Sequence, residues 1–136
     1  MDYGITSIED VPSVDLSDAV EGMDAEVRRV QTELGTDNMV TNVWEFDEGD
    51  AMVHHYHDEQ EELYYVIEGE FRLKVGDAGD PEERTVEEGD IFAFAPDVGR
   101  GYVCVSEEGT MLTVGAPNVV DIDPEKYTPS KKLRVR

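Results

Sequence analysis

The stretch GDAMVHHYHDEQEELYYVIEG, running from Gly49 to Gly69, decides how this chain is read. Its later part, Leu63 to Ile67, is a β-branched and aromatic run, and Met52 to His57 precedes it as a second strand, with the acidic turn Asp58-Glu59-Gln60 between them. Side chains of a strand alternate between its faces, which puts His55 and His57 on one face and leaves His54, a structural or surface residue, on the other. The next strand is expected to carry Glu62 back beside the two imidazoles. Two imidazoles and one carboxylate converging on a point are a ligand set for a divalent transition metal such as Fe, Mn, Ni or Zn. Glu61 offers the same chemistry one position earlier.

Working outward, the upstream half reads as short extended segments. Met39 to Phe46 (MVTNVWEF) is a strand on composition, and Trp44 and Phe46 share one face as core or interface residues. Ala25 to Thr32 reads as another strand, closed by the turn signal Gly35-Thr36-Asp37-Asn38. Before it, residues 1–24 form an arm or a weak edge strand, with a break at Val11-Pro12-Ser13. Downstream, Phe71, Leu73 and Val75 alternate with Arg72 and Lys74 in a half-buried strand. Arg84 to Glu87, Ile91 to Phe94, Arg100 to Ser106 and Thr110 to Val114 follow, separated by glycine-containing acidic turns. Nine or so short strands without a convincing helical period predict an all-β sandwich or barrel over residues 25–120, followed by a tail over 121–136. Tyr64 and Val66 share the face of Glu62, while Leu63, Tyr65 and Ile67 take the other. With both faces apolar, this strand is expected to be central and covered on both sides, a second subunit being one candidate cover.

Composition limits the partners. Thirty-three acidic residues stand against 11 basic ones, for a formal net charge of -22. Such a surface repels nucleic-acid phosphate and anionic membranes, and no nucleic-acid or membrane partner is expected. Five of the 11 basic residues lie in the tail from Asp121 onward, which is expected to lie on the acidic body or fray. Acids interleaved with valines and aromatics, with few lysines, look like the surface of a halophilic protein, where salt screens the self-repulsion. No apolar run is long enough to span a bilayer, and Met-Asp-Tyr-Gly is not the start of a signal peptide; a soluble, cytoplasmic protein is expected. The single cysteine, Cys104, rules out an internal disulfide and a thiolate-rich zinc site, and reads as a small buried hydrophobe.

These residues resemble the cupin superfamily. Gly49, His55, His57, Glu62 and Gly69 meet its first motif, G-x5-H-x-H-x(3,4)-E-x6-G, at every fixed position, and the count to Gly69 favours Glu62 over Glu61. Its second motif begins well at Gly89-Asp90 and runs through IFAFA to Pro96. It then departs: Arg100 holds the place of the family's fourth metal ligand, a histidine, and no asparagine follows. The resemblance spans about Val43 to Pro117 and implies a cupin-type double-stranded β-helix, a jelly-roll barrel, which commonly pairs into a homodimer.

Arginine is a donor only and always charged, so Arg100 cannot ligate a metal. Two arrangements stay open. In one, His55, His57 and Glu62 hold a metal and Arg100 clamps an anionic substrate, a carboxylate or a phosphate, for oxygenase, decarboxylase or isomerase chemistry. In the other, Arg100 pairs with Glu62, no metal binds, and the protein binds or senses a small molecule without chemistry. Tyr102 and Cys104 share the strand face of Arg100, so Tyr102 joins Tyr64 and Arg100 as a candidate ligand-binding residue.

Overall fold

The computed structural model describes residues 2–18 and 23–118. The tail expected from Asp121 onward lies outside them. Among the described residues ten strands form two antiparallel sheets. The first sheet has the order β1 (Ser13–Asp15), β2 (Glu26–Arg29), β3 (Val40–Asp47), β10 (Glu108–Ala116), β5 (Glu61–Glu68), β8 (Ile91–Phe94). The second has the order β4 (Ala51–His55), β9 (Arg100–Cys104), β6 (Glu70–Val75), β7 (Glu82–Glu87). The expected all-β architecture is thus present as a two-sheet jelly roll, in which consecutive strands repeatedly cross from one sheet to the other.

Burial follows the alternation of the strands. Phe46, Met52, Tyr64, Val66, Phe71, Leu73, Phe94, Tyr102, Cys104 and Met111 point inward and form one core between the sheets. Phe46, Phe71 and Tyr102 meet edge to face, with centroids 5.4 to 5.5 Å apart, an arrangement that sets the positive ring edge against the negative face. Trp44 packs against the same core and donates its Nε1–H to Thr113 Oγ1 at 3.0 Å. Cys104 is buried there, as its small apolar character suggests.

A second, smaller cluster of Val11, Val30 and Val43, joined by Leu34 and Leu112, packs separately from this core. It corrects the expectation of a strand over Ala25 to Thr32. The strand ends at Arg29 and a short helix α1 (Val30–Leu34) follows, closed by Gly35 at φ 73° with its N–H on Gln31 O at 2.7 Å. Val30 and Leu34 are four apart, hence on one helical face, and burying that face against β3 outweighs the strand preference of Val30. Arg28 ties the N-terminal segment down, donating from Nη1 to Val11 O at 2.8 Å while Nε meets Glu45 Oε1 at 2.8 Å.

The motif glycines sit at turns. Gly49 and Gly69 have φ of 86° and 88°, conformations that L side chains rarely adopt, and they turn the chain from β3 into β4 and from β5 into β6. The expectation that β5 is covered on both faces is met on one only. It lies inside its sheet between β10 and β8, but its outer residues Leu63 and Tyr65 are each 37% exposed and Ile91 beside them is 64% exposed.

Candidate metal and anion site

The donors come from both sheets. β4 brings His55 in the second sheet, where its Cα partner across the ladder is Arg100 of β9. β4 stops at His55, so His57 lies just beyond its end, in the segment that crosses between the sheets. Glu62 lies on β5 in the opposite sheet, paired with Gly115 of β10 and Phe94 of β8. The carboxylate is therefore not carried back by a neighbouring strand, as the short acidic turn suggested. The segment Tyr56–Gln60 crosses over the core, and Glu62 faces the histidines from across it. Asp97, at φ 70°, donates its N–H to His57 O at 2.7 Å and so holds the crossover segment in place.

One ligand atom each from His55, His57 and Glu62 lies within 4.8 Å of the others. His57 Nε2 is 3.6 Å from Glu62 Oε1, and the two imidazoles meet edge to face at 5.0 Å. The Nδ1–H of His55 donates to Val53 O at 2.8 Å. A carbonyl only accepts, so this bond places the proton on Nδ1 and leaves the Nε2 lone pair available, the usual tautomer of a metal-bound histidine. Protonation agrees with that role. Burial lowers the His55 pKa to about 4, more than the Glu62 charge raises it, so this imidazole is neutral at pH 7. Burial would raise the Glu62 carboxyl, but the His57 imidazole 3.6 Å away, the neighbouring imidazole charges and the Tyr64 hydroxyl together hold it at about 2. A neutral imidazole and an ionised carboxylate are the forms a metal requires, and the donor set suits Fe, Mn, Ni or Zn. The residues fit such an ion.

Around the trio are aromatic and cationic groups. The Tyr64 hydroxyl donates to Glu62 Oε1, and its ring stacks on Phe92 at 5.0 Å, 4° from parallel. Burial together with the Glu62 charge pushes the Tyr64 pKa well above its ordinary value, so it stays a donor. Arg100 is fully buried, donates from Nη1 to Val98 O at 2.9 Å, and lies with its guanidinium carbon 5.0 Å from the Phe94 ring centre. Its Nε stands 4.0 Å from Glu62 Oε1. Tyr102 is buried two residues further along β9, its ring 6.0 Å from that of Tyr64.

The structure thus brings together all six residues singled out from the sequence. His54 faces away from them; it is buried, with Nε2 2.7 Å from Gly76 O, and packs against Gly99 and Gly101, where a Cβ would intrude. The turn Asp58-Glu59-Gln60 needs a correction at Gln60. This side chain is buried against Gly115 and donates Nε2–H to Pro117 O at 3.2 Å. Its partners lie 55 or more residues away, beyond what a turn signature conveys. Phe92, Phe94 and the Val98 carbonyl were not read as site groups. Alternation of the two phenylalanines in IFAF signalled one shared face, but not that Arg100 would lie over it.

Two facing antiparallel sheets with a histidine-histidine-glutamate cluster between them define a jelly-roll protein with a candidate metal site. Residues 42–115 match the family described as the cupin domain, and the chain belongs to that family. No curated protein matches at a significant level. Among solved structures, the chain is similar to KdgF from Halomonas sp., with TM-score 0.68 at 18% identity over 88% of this chain and 98% of that one. An RmlC-like cupin from Shewanella frigidimarina gives TM-score 0.68 at 23% identity, covering 89% and 98%. A sugar phosphate isomerase of the cupin superfamily from Silicibacter pomeroyi gives 0.70 at 25% identity, covering 84% and 76%. At the lower identities the likeness speaks for the fold alone.

Proposed function

We propose that this protein is a small metal-binding cupin that acts on a small anionic metabolite, with the metal on His55, His57 and Glu62 and with Arg100 as the anion clamp. The observation that carries this reading is the meeting of three metal-type donors within 4.8 Å beside a fully buried guanidinium. Such an ion would supply Lewis-acid polarisation of a substrate oxygen, or redox chemistry if it is Fe or Mn. The chain's own groups do the rest. Arg100, fixed by Val98 and Phe94, binds and orients the anionic group, and Tyr102 and Tyr64 line the same interior. The apolar core around them excludes water and strengthens each charge contact. Oxygenase, decarboxylase and isomerase reactions all suit an anionic substrate held in this way, and the similar sugar phosphate isomerase is named for one such substrate.

A second reading is favoured by one distance, the 4.0 Å from Arg100 Nε to Glu62 Oε1. If that ion pair takes the place of a metal, the protein is a non-catalytic small-molecule binding or regulatory cupin. Metal analysis of protein purified in high salt separates the two. The first reading expects a stoichiometric divalent metal in the wild type and its loss in His57→Ala. A wild-type protein that carries none, and takes up none on dialysis against Mn, Fe, Ni or Zn, leaves the second.

We also propose a cytoplasmic, halophilic homodimer. The charge of -22 supports the salt adaptation, and exposed Leu63, Tyr65 and Ile91 on the outer sheet face support pairing there. Sedimentation of Tyr65→Lys against wild type tests the pairing, which a monomeric wild type would rule out.

A further inference from the structure

A metal held by His55, His57 and Glu62 would share the interior with a second cation that cannot withdraw. Arg100 is fully buried, bonded through Nη1 to Val98 O at 2.9 Å and seated over Phe94 at 5.0 Å. Those contacts occupy one end of the guanidinium. Its other edge, formed by Nε and Nη2, finds no hydrogen-bond acceptor among the described residues. Glu62 Oε1, at 4.0 Å from Nε, is beyond hydrogen-bond length. The buried Tyr102 hydroxyl, on the same inward face of β9, also finds no acceptor among them. Buried donors of this kind are rare because each forfeits its hydration without compensation. Here two lie on one guanidinium edge and the third on the same strand face, and Arg100 Nε stands 4.0 Å from the Glu62 carboxylate.

We infer that the site binds its metal and a small carboxylate as a coupled pair, the carboxylate seated on the Nε and Nη2 edge of Arg100 with the Tyr102 hydroxyl beside it. The reason is charge balance. Histidines are neutral when they ligate a metal, so Glu62 is the only negative charge in the trio, and it faces both a dication and a guanidinium. Charges in a low-dielectric interior repel strongly and are not screened by salt as surface charges are. An added carboxylate supplies the missing negative charge, and its two oxygens match the paired N–H groups of one guanidinium edge. Arg100 therefore does two things: it opposes metal binding while the anion is away, and it recruits the anion that removes the opposition. By linkage each ligand raises the affinity of the other by the same factor. This inference rests on the metal reading above but goes beyond a substrate clamp, since it makes the carboxylate a condition of tight metal binding.

Wild-type protein, stripped of metal by a chelator, is titrated with Mn(II) while the electron paramagnetic resonance signal of the free ion is followed. One titration uses chloride as the only anion; the other replaces part of it with acetate at constant ionic strength. Acetate is expected to raise Mn(II) affinity about tenfold or more, within the roughly 5- to 150-fold range of ordinary coupling. Calorimetric titration with acetate should show the same factor with and without Mn(II). Arg100→Gln should bind Mn(II) more tightly in chloride than the wild type does and lose the response to acetate. Because the wild-type titrations suffice, poor folding of that variant does not remove the test. Equal Mn(II) affinity in the two buffers overturns the coupling and leaves the metal site standing. Binding of neither Mn(II) nor Zn(II), Fe(II) or Ni(II) in any buffer overturns the metal reading itself. A response to inorganic phosphate with none to acetate overturns the assignment to a carboxylate.

Discussion

Replacing Glu62 by glutamine keeps the size and shape of a side chain that is mostly buried and removes only its charge. That charge is held by the Tyr64 hydroxyl, by His57 at 3.6 Å and by Arg100 at 4.0 Å. Burial acts to raise the carboxyl pKa, yet His57, His55 and the Tyr64 hydroxyl hold it at about 2, against an ordinary 4.5. At about 1.4 kcal/mol for each tenfold change in proton affinity, and with the His55 charge absent at pH 7, the ionised carboxylate stabilises the folded, metal-free chain by at most roughly 3 kcal/mol at neutral pH. The sign follows from the direction of the shift. A depressed carboxyl contributes fully above its unfolded value of 4.5, and the contribution is lost as pH falls from there toward about 2. Removing one member of a buried charge cluster independently costs about 3–5 kcal/mol, in agreement. Urea denaturation of chelator-treated wild type and Glu62→Gln, at constant ionic strength and a series of pH values, measures the gap directly. It should reach at most about 3 kcal/mol at pH 7 and narrow in acid. A gap that stays constant with pH, or a glutamine variant as stable as wild type at pH 7, would refute the reasoning.

Two further outcomes follow from the same structure. Tyr64→Phe removes the hydroxyl that donates to Glu62 and leaves the ring stacked on Phe92. The Glu62 carboxyl should then titrate higher by NMR and metal affinity should fall by about tenfold, the lower end for loss of a ligand's supporting hydrogen bond; unchanged values would reduce Tyr64 to packing. The charge of -22 predicts a melting temperature that climbs with KCl, because the screening length shrinks from about 10 Å at 0.1 M to about 3 Å at 1 M. A flat or falling melting temperature would count against salt adaptation.

Much of the site was legible because strand alternation is a local rule. The inward set Arg100, Tyr102 and Cys104 on β9, and the inward pair Tyr64 and Val66 on β5, follow from a period of two and are found as expected. The turn glycines Gly49 and Gly69 were legible for a similar reason, since each holds a positive φ within its own turn. What was misread depended on distant partners. Gln60 looks solvated beside Asp58 and Glu59, and only Gly115 and Pro117 make it a buried donor. Val30 reads as strand until β3 offers a surface for the helical face it shares with Leu34.

From the amino-acid order alone came the all-β class and the trio of metal-type donors, because each is written in residue type and short spacing; the resemblance to the cupin motifs added the anomaly of an arginine at a ligand's place. Tertiary structure decided that β4 and β5 belong to opposite sheets, so that Glu62 confronts the histidines across the core rather than from the adjoining strand. It also decided how Arg100 is held, with Val98 and Phe94 on one side and Glu62 facing its unengaged edge. Sheet membership and the packing of a buried cation are set by backbone pairing and core contacts between residues far apart in the chain, and no local pattern encodes them.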